Sequence, residues 1–458
     1  MTLRFGPCLT ALLVAGARLL SVTAPAVAQD SHYWTQQFGP RSTLLGGAVI
    51  GSVDDVSGTF YNPGALALAT DLAFAVSTSV FGFTTVTVED GGGANVDLGT
   101  TKSGLMPSLV AGTIKRGMFG GAGVLAYSAI NRSRGRQNLR GAVFLTSDDV
   151  PPESDLQDVA GGVEFTGQYN DFWAGLTYSH ALGNHVGLGV TWYGAFRSQN
   201  RARRSTALFA GTDGSGLSAV DDRSVEYSAL RTLFSFGGYF GVGAITGGRK
   251  VTTSSIHLTG SGQLGVAEST IGTDTTAFLA GIQTDLPAEY RSPLSVAGGM
   301  AWSFGSARLH GSLEWFDAID PYVVIQGDSL YAQVPDGEGM VPEAVTEQSD
   351  ILNWGLALEY AFSEALSGYL SFRQDNSALG EDVERNDLSG LPVDIRNLTL
   401  GTDFAFRSAR LTLGIGYGWG SETAQGLTEV LREEDPDFEA TYAYRNINLL
   451  FGFEIGVD

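Results

Sequence analysis

The run Leu411-Thr412-Leu413-Gly414-Ile415-Gly416-Tyr417-Gly418-Trp419-Gly420 is a strict alternation. Its odd positions are large and apolar, and its even positions are threonine or glycine. Successive side chains of an extended strand point to opposite faces, so the run has one wholly apolar face and one face of small groups. Residues 352–362 repeat the pattern, with Leu352, Trp354, Leu356, Leu358, Tyr360 and Phe362 set against Asn353, Gly355, Ala357 and Glu359. Residues 447–457 place Ile447, Leu449, Phe451, Phe453, Ile455 and Val457 opposite Asn448, Gly452 and Glu454. Val186, Leu188, Val190, Trp192 and Phe196 form a further example, as do Phe172, Ala174, Leu176 and Tyr178.

A soluble β-sandwich also alternates, and three features favour a membrane barrel instead. The runs are long, whereas soluble strands average about 5–6 residues and a membrane strand needs about 9–11. Aromatics gather near strand ends (Tyr417 and Trp419; Tyr360 and Phe362; Trp302 and Phe304; Trp315 and Phe316), as interfacial girdles do. The small face is rich in glycine, of which the chain has 62, and this suits a barrel interior better than a packed core.

Connections alternate between short and long, the habit of barrels with short inner turns and long outer loops. Short ones fall near 116–117, 181–184, 305–306, 363–365 and 407–409, with a glycine-rich turn at 239–247. Long polar ones fall near 89–102, 135–160, 206–223, 263–291, 327–348, 380–391 and 423–438. Strands are expected near 71–88, 103–115, 118–134, 161–180, 185–205, 224–238, 248–262, 292–304, 307–326, 349–362, 366–379, 392–406, 410–422 and 439–457. Residues 274–288 go to an external loop, because counting them as a strand gives an odd total. The fold class is all-β: a transmembrane antiparallel β-barrel of about 14 strands, spanning 71–458.

Arg4, the apolar stretch 8–17 and the small residues Ala26-Val27-Ala28 form an export signal over 1–28. The single cysteine, Cys8, lies within it, which excludes disulfides and cysteine-bound metal from the mature chain. Of 27 Lys and Arg, Arg4 and Arg18 leave with the signal, so 49 acidic residues face 25 basic ones, a net charge of −24. Such a chain repels nucleic acid, and no nucleic-acid partner is expected. After residue 28 no apolar run is long enough for a membrane helix, so a mature chain that spans a membrane does so as a closed barrel.

Residues 29–70 do not follow the strand pattern. They contain Arg41-Ser42, Gly46-Gly47-Ala48, Asp54-Asp55-Val56-Ser57 and Phe60-Tyr61-Asn62-Pro63. In order and spacing these elements resemble the N-terminal hatch of the outer-membrane long-chain fatty-acid transporter family (the FadL type, which includes aromatic-hydrocarbon channels). The strand number and the pattern around Tyr290-Arg291-Ser292-Pro293 are similar too. Gly64 stands where that family has alanine, and the chain ends Val457-Asp458 where such barrels end in an aromatic. The resemblance implies a hatch over 29–70 that plugs the lumen, with ligand leaving sideways through the wall. Read from the residues alone, Asn62-Pro63-Gly64 is a turn of restricted geometry, either a simple connection or a gate.

Sites follow from this frame. No H-E-x-x-H or G-x-S-x-G spacing occurs among the five histidines and the serines, so no catalytic residue, metal or cofactor is expected. The acidic cluster Glu433-Glu434-Asp435-Pro436-Asp437 with Glu439 reads as a solvated loop tip. By alternation Arg197, Arg231, Arg373, Asp403, Glu314, Glu359 and Glu454 face inward, to pair with one another or to clamp a carboxylate. Tyr193, Tyr369 and Tyr444 share that face and, with Arg197, Arg231 and Arg373, are candidates for a ligand path. The expected function is passive uptake of hydrophobic or amphipathic molecules across the outer membrane. A general porin, a barrel enzyme and an adhesin-like barrel are the alternatives. Expected partners are outer-membrane lipid and lipopolysaccharide, a hydrophobic ligand and the barrel-assembly machinery.

Overall fold

The computed structural model describes residues 31–69, 74–89, 97–145, 156–211, 216–271, 276–331, 339–379, 391–406, 409–425 and 439–455. The signal segment 1–28 and the acidic tip 433–437 lie outside them. The described strands are β1 (Phe74–Glu89), β2 (Leu98–Met118), β3 (Gly123–Leu145), β4 (Leu156–Ala181), β5 (Val186–Gly211), β6 (Gly216–Val242) and β7 (Ile245–Thr252). They continue as β8 (Ile256–Ile271), β9 (Thr276–Pro287), β10 (Ser295–Phe304), β11 (Ala307–Phe316), β12 (Ile319–Gln326), β13 (Leu330–Tyr331) and β14 (Gly339–Met340). The last are β15 (Glu343–Gln348), β16 (Ile351–Ser363), β17 (Leu366–Asp375), β18 (Ile395–Phe406), β19 (Ala409–Gln425) and β20 (Glu439–Ile455).

These strands make a closed antiparallel barrel of fourteen staves. β6 pairs with β7 along its inner part and with β8 further out, so β7 and β8 are one stave broken at residues 253–255. β9 pairs with β8 and β10 with β7, so they too are one stave, broken at residues 288–294. β20 pairs with both β19 and β1, which closes the ring and leaves no edge there. The alternation decides the faces. Leu413, Ile415 and Tyr417 are exposed on the outside while Thr412 is buried within.

The segment assigned to a loop at 274–288 is largely strand, Thr276–Pro287. The count of fourteen survives because β9 extends a stave rather than adding one. The long connections at 135–160, 206–223 and 263–291 are also mostly strand: β3 runs to Leu145, β4 starts at Leu156, and β5 and β6 leave only 212–215 between them. Beyond the apolar belt the outer face turns polar, so hydrophobic alternation fades although the ladder continues. There Arg140 lies opposite Glu164, Glu164 opposite Arg204, and Arg204 opposite Asp222. Two of those neighbours are ion pairs of 2.5 Å, Arg140–Glu164 and Arg204–Asp222. Residues 307–326 divide likewise: after Phe316 the chain leaves the ring, and β12 pairs with β15. Phe316 points inward, so of the pair Trp315–Phe316 only Trp315 can join an outer girdle.

Residues 31–69 pack against the inward faces of the barrel strands. They form α1 (Pro40–Leu44), α2 (Gly58–Tyr61) and a 3-10 turn at Pro63–Ala67. Phe38, Leu44, Leu45, Val49, Ile50 and Leu66 are buried in one cluster with the inward residues Ala195, Leu233, Ala297 and Ala357. Backbone meets backbone here: a Cβ on Gly187 would overlap the Gly64 carbonyl, and one on Gly299 would overlap Ile50 and Gly51. The glycine-rich inner face is therefore a socket shaped for this segment.

Candidate functional site

Three polar anchors hold the N-terminal segment. Asn62 donates from Nδ2 to the carbonyls of Ile50 (2.9 Å) and Gly238 on β6 (3.0 Å), and its Oδ1 accepts from Gly64 N (3.1 Å). Asn62, Pro63 and Gly64 are thus buried together at the β5–β6 wall, where a Cβ on Gly237 would overlap Asn62 and one on Gly189 would overlap Pro63. Arg41 forms the second anchor, bonded to Asp54 (3.0 Å) and to Glu359 of β16 (2.5 Å), while His310 sits 3.2 Å from the same carboxylate. The third is the start of the segment. Trp34 donates from its amide to Asp375 (2.9 Å) and from Nε1 to Glu314 (2.8 Å), and Glu314 also pairs with Lys250 at 2.9 Å. His32 Nε2 lies 2.7 Å from the Val393 carbonyl, and burial pushes its pKa below the usual 6.5 despite the nearby Asp375.

The inward charges lie where alternation placed them, but they serve different neighbourhoods. Arg197 is fully buried, with its guanidinium over the rings of Tyr169 and Tyr290. Arg231 pairs with Asp171 at 2.6 Å and donates to Ser292. Arg373 donates to the Thr35 carbonyl and Tyr193 to the Thr59 carbonyl, so both hold the N-terminal segment. Tyr369 donates to Glu359, joining the Arg41 anchor. Tyr444 belongs to a separate apolar cluster further out, with Val86, Val88, Leu98, Leu139 and Phe165. Asp403 pairs with Arg410, and Glu454 is buried on the same side.

Behind the N-terminal segment lies a cavity of about 50 Å³, with Phe60, Arg132, Trp173, Lys250, Tyr290 and Phe316 in its lining. Of these the sequence singles out Phe60, Tyr290 and Phe316, and it gives no sign of Arg132, Trp173 or Lys250. Arg132 bonds to the Tyr33 carbonyl, and its guanidinium lies 5.5 Å from the Phe60 ring and 5.8 Å from Trp173. It continues the inward parity of Val124, Ala126, Ser128 and Ile130 and is the extra residue of a bulge, since Asn131 faces Phe172 and Ser133 faces Asp171, so the residues after it change faces.

The wall beside this cavity is interrupted. β2 and β3 pair at Leu109–Ile130 and below, and again at Gly99–Arg140, but not over residues 100–108 and 131–139 between them. β2 carries its own extra residue, Ser108, between Leu109 and Pro107 in the β1 ladder. Two bulges therefore meet across the gap, and Pro107 has no N–H to give to it. The gap adjoins Arg132 and Ser133 of the cavity lining.

No family model and no curated protein matches the chain. The fold is that of membrane-channel barrels among solved structures. The toluene transporter TodX of Pseudomonas putida is 13% identical, with a TM-score of 0.61 over 92% of this chain and 98% of that one. The CymD monoaromatic hydrocarbon channel is 11% identical, with a TM-score of 0.55 over 92% and 97%. A Pseudomonas aeruginosa FadL homologue is 11% identical, with a TM-score of 0.53 over 95% and 100%.

Proposed function

We propose that this protein is an outer-membrane channel through which hydrophobic or amphipathic molecules pass without energy input. The observation that carries the reading is the interrupted β2–β3 ladder beside a cavity that the N-terminal segment closes from within. In hydrocarbon every backbone N–H and C=O must be satisfied inside the protein. A stretch without ladder bonds is thus favoured where a guest or a polar lining fills it. The N-terminal segment acts as a hatch, with Asn62-Pro63-Gly64 fixing one edge of it. Apolar solute collects on the outer cluster of Val86, Leu98, Leu139 and Phe165, moves past Arg132 and Trp173, and leaves sideways between β2 and β3. The names of the structurally similar channels point to monoaromatic hydrocarbons as cargo, and the resemblance of residues 41–63 to the long-chain fatty-acid transporter family adds fatty acids. Arg132, held by a carbonyl and two rings, offers a counter-charge to a fatty-acid carboxylate.

Uptake into cells or vesicles tests this with two variants. Deleting Arg132 removes the bulge and should bring uptake of both toluene and a long-chain fatty acid to background. Arg132→Gln keeps the extra residue and should depress fatty-acid uptake alone. Free passage of a small sugar through the wild type, with no apolar uptake, means a general porin and ends this reading.

A further inference from the structure

The outer face carries arginines of two kinds, and their position along the strands separates them. Arg140 and Arg204 are 17 or 18 residues from the inner ends of β3 and β5, at Gly123 and Val186, and each is paired with a carboxylate. Arg134, Arg136, Arg396 and Arg445 also face outward, and none has an ion pair among the described residues. Arg134 is 11 residues from Gly123, Arg396 is 10 from Phe406 and Arg445 is 10 from Ile455, with Arg136 two residues beyond Arg134. A tilted membrane strand crosses the hydrocarbon in about 9–11 residues, so these four stand at its outer boundary.

Their neighbours do not neutralise them. Arg134 lies opposite Asn170 and Arg136 opposite Gln168. Trp419 lies between Arg396 and Arg445, and Gln374 and Thr85 flank this trio. Asp394, two residues beyond Arg396, accepts from the Ser377 amide. The four belong to one sector, β18 to β3, which contains the interrupted ladder. On β4, β5 and β6 the outward positions at the same distance are Asn170, Phe196 and Thr232, without charge. Arg249, a fifth outward arginine without an ion pair among the described residues, is four residues from Ile245 and lies between Gly238 and Gly298. Its long side chain can reach the inner interface along that glycine groove.

We propose that the arc of Arg134, Arg136, Arg396 and Arg445 binds the phosphates of a phosphorylated glycolipid of the outer leaflet, of the lipid A type. The inference rests on the outer-membrane reading. Guanidinium and phosphate match in fork geometry, and both sit where acyl chains give way to headgroups. On a chain of net charge −22, a one-sided cationic arc selects the lipid that borders the β2–β3 gap.

The test uses purified full-length barrel reconstituted in phosphatidylcholine with bisphosphorylated or dephosphorylated lipid A. A chelator removes divalent bridges, and mass spectrometry reads the lipid that stays bound. Wild type should retain the phosphorylated form at least about tenfold over the other, a factor worth about 1.4 kcal/mol. The fourfold variant R134Q/R136Q/R396Q/R445Q should lose that preference, and Arg204→Gln should keep it. Heat-modified migration on gels confirms that each variant is folded. Equal retention of the two lipids by wild type, or an unchanged preference in the fourfold variant, overturns the proposal. Solute uptake is not measured here, so failure of the transport reading shows elsewhere.

Discussion

β4 and β5 are joined in one register from Asp158 opposite Ala210 to Ala181 opposite Gly187, without a break. One strand away, β2 and β3 share a register on both sides of a gap and are unjoined within it. Both interfaces come from the same alternating pattern. They differ in local backbone chemistry: β4 and β5 contain no proline, whereas β2 places Pro107 beside the extra residue Ser108 and β3 answers with the extra residue Arg132. The sealed interface also differs on its inner side. Gly187 and Gly189 of β5 accept the backbone of the N-terminal segment, while Arg132 of β3 reaches across a cavity to Tyr33. A barrel wall thus closes or opens by one residue at a time, and docking inside it follows the closed side.

The largest expected effect comes from the anchor opposite the gap. Arg41 is buried, and its loss leaves Glu359 at the lumen wall with His310 and the Tyr369 hydroxyl but no guanidinium. Arg41→Met should weaken docking of the N-terminal segment by about 3–5 kcal/mol, because a buried charge loses its partner. Small-sugar permeation should rise while the strands stay paired, and adding Glu359→Gln should restore most of the seal. If sugar permeation is unchanged, the segment is held by the glycine socket and not by charge.

A smaller effect is expected at the edge fixed by Asn62. Replacing Asn62 and Pro63 together by alanine removes two donor bonds and one acceptor, at about 1–3 kcal/mol for the groups left unmet. Apolar uptake should change while sugar uptake stays low, since the Arg41 anchor remains. A rise in both solutes alike would mean the segment leaves as a unit.

Much of this was legible in the sequence. The strand count, the lumen-facing charges and the separateness of residues 29–70 all follow from period two, which is strong wherever one face touches lipid. The outer halves of β3 to β6 were hidden because polar residues occupy both faces there, so no alternation marks them. The cavity was hidden for another reason. Arg132 keeps the inward parity of Val124 to Ile130, but the bulge that puts Ser133 on the same side leaves no trace in composition. Pro107 within an otherwise strand-like run was the one available signal, because a central strand has no place for a missing donor. The partners of Trp34 and Arg41 lie some 300 residues away in sequence, beyond any local pattern.

Pro107 offers a finer test of the comparison. Pro107→Thr returns a backbone donor to β2, worth about 0.5–1.5 kcal/mol if it finds an acceptor. Amide exchange at residues 131–139 should slow and apolar uptake should fall by a few-fold, less than on deleting Arg132. Unaltered exchange would show that the two bulges, and not the missing N–H, keep the strands apart.

The smallest effect concerns pH at the start of the segment. His32 is buried, with Nε2 donating to the Val393 carbonyl and Nδ1 accepting from Ser31 Oγ at 3.0 Å, a hydroxyl that also lies 3.1 Å from the Leu391 carbonyl. Burial lowers its pKa, so the docked state holds this ring neutral while the undocked state takes up a proton near 6.5. A base with a depressed folded pKa adds full stability above its unfolded value and loses it as pH falls below that value. Docking of residues 31–37 should therefore weaken from pH 6.5 downward, by up to about 1.4 kcal/mol per unit until the folded pKa is passed. Amide exchange at Leu391 and Val393, the acceptor stretch, should quicken over that window with the barrel ladders unchanged. His32→Gln should flatten the dependence, because a glutamine amide can donate to Val393 and takes up no proton. An equal acid response in that variant would show that His32 is not the group whose protonation loosens the segment.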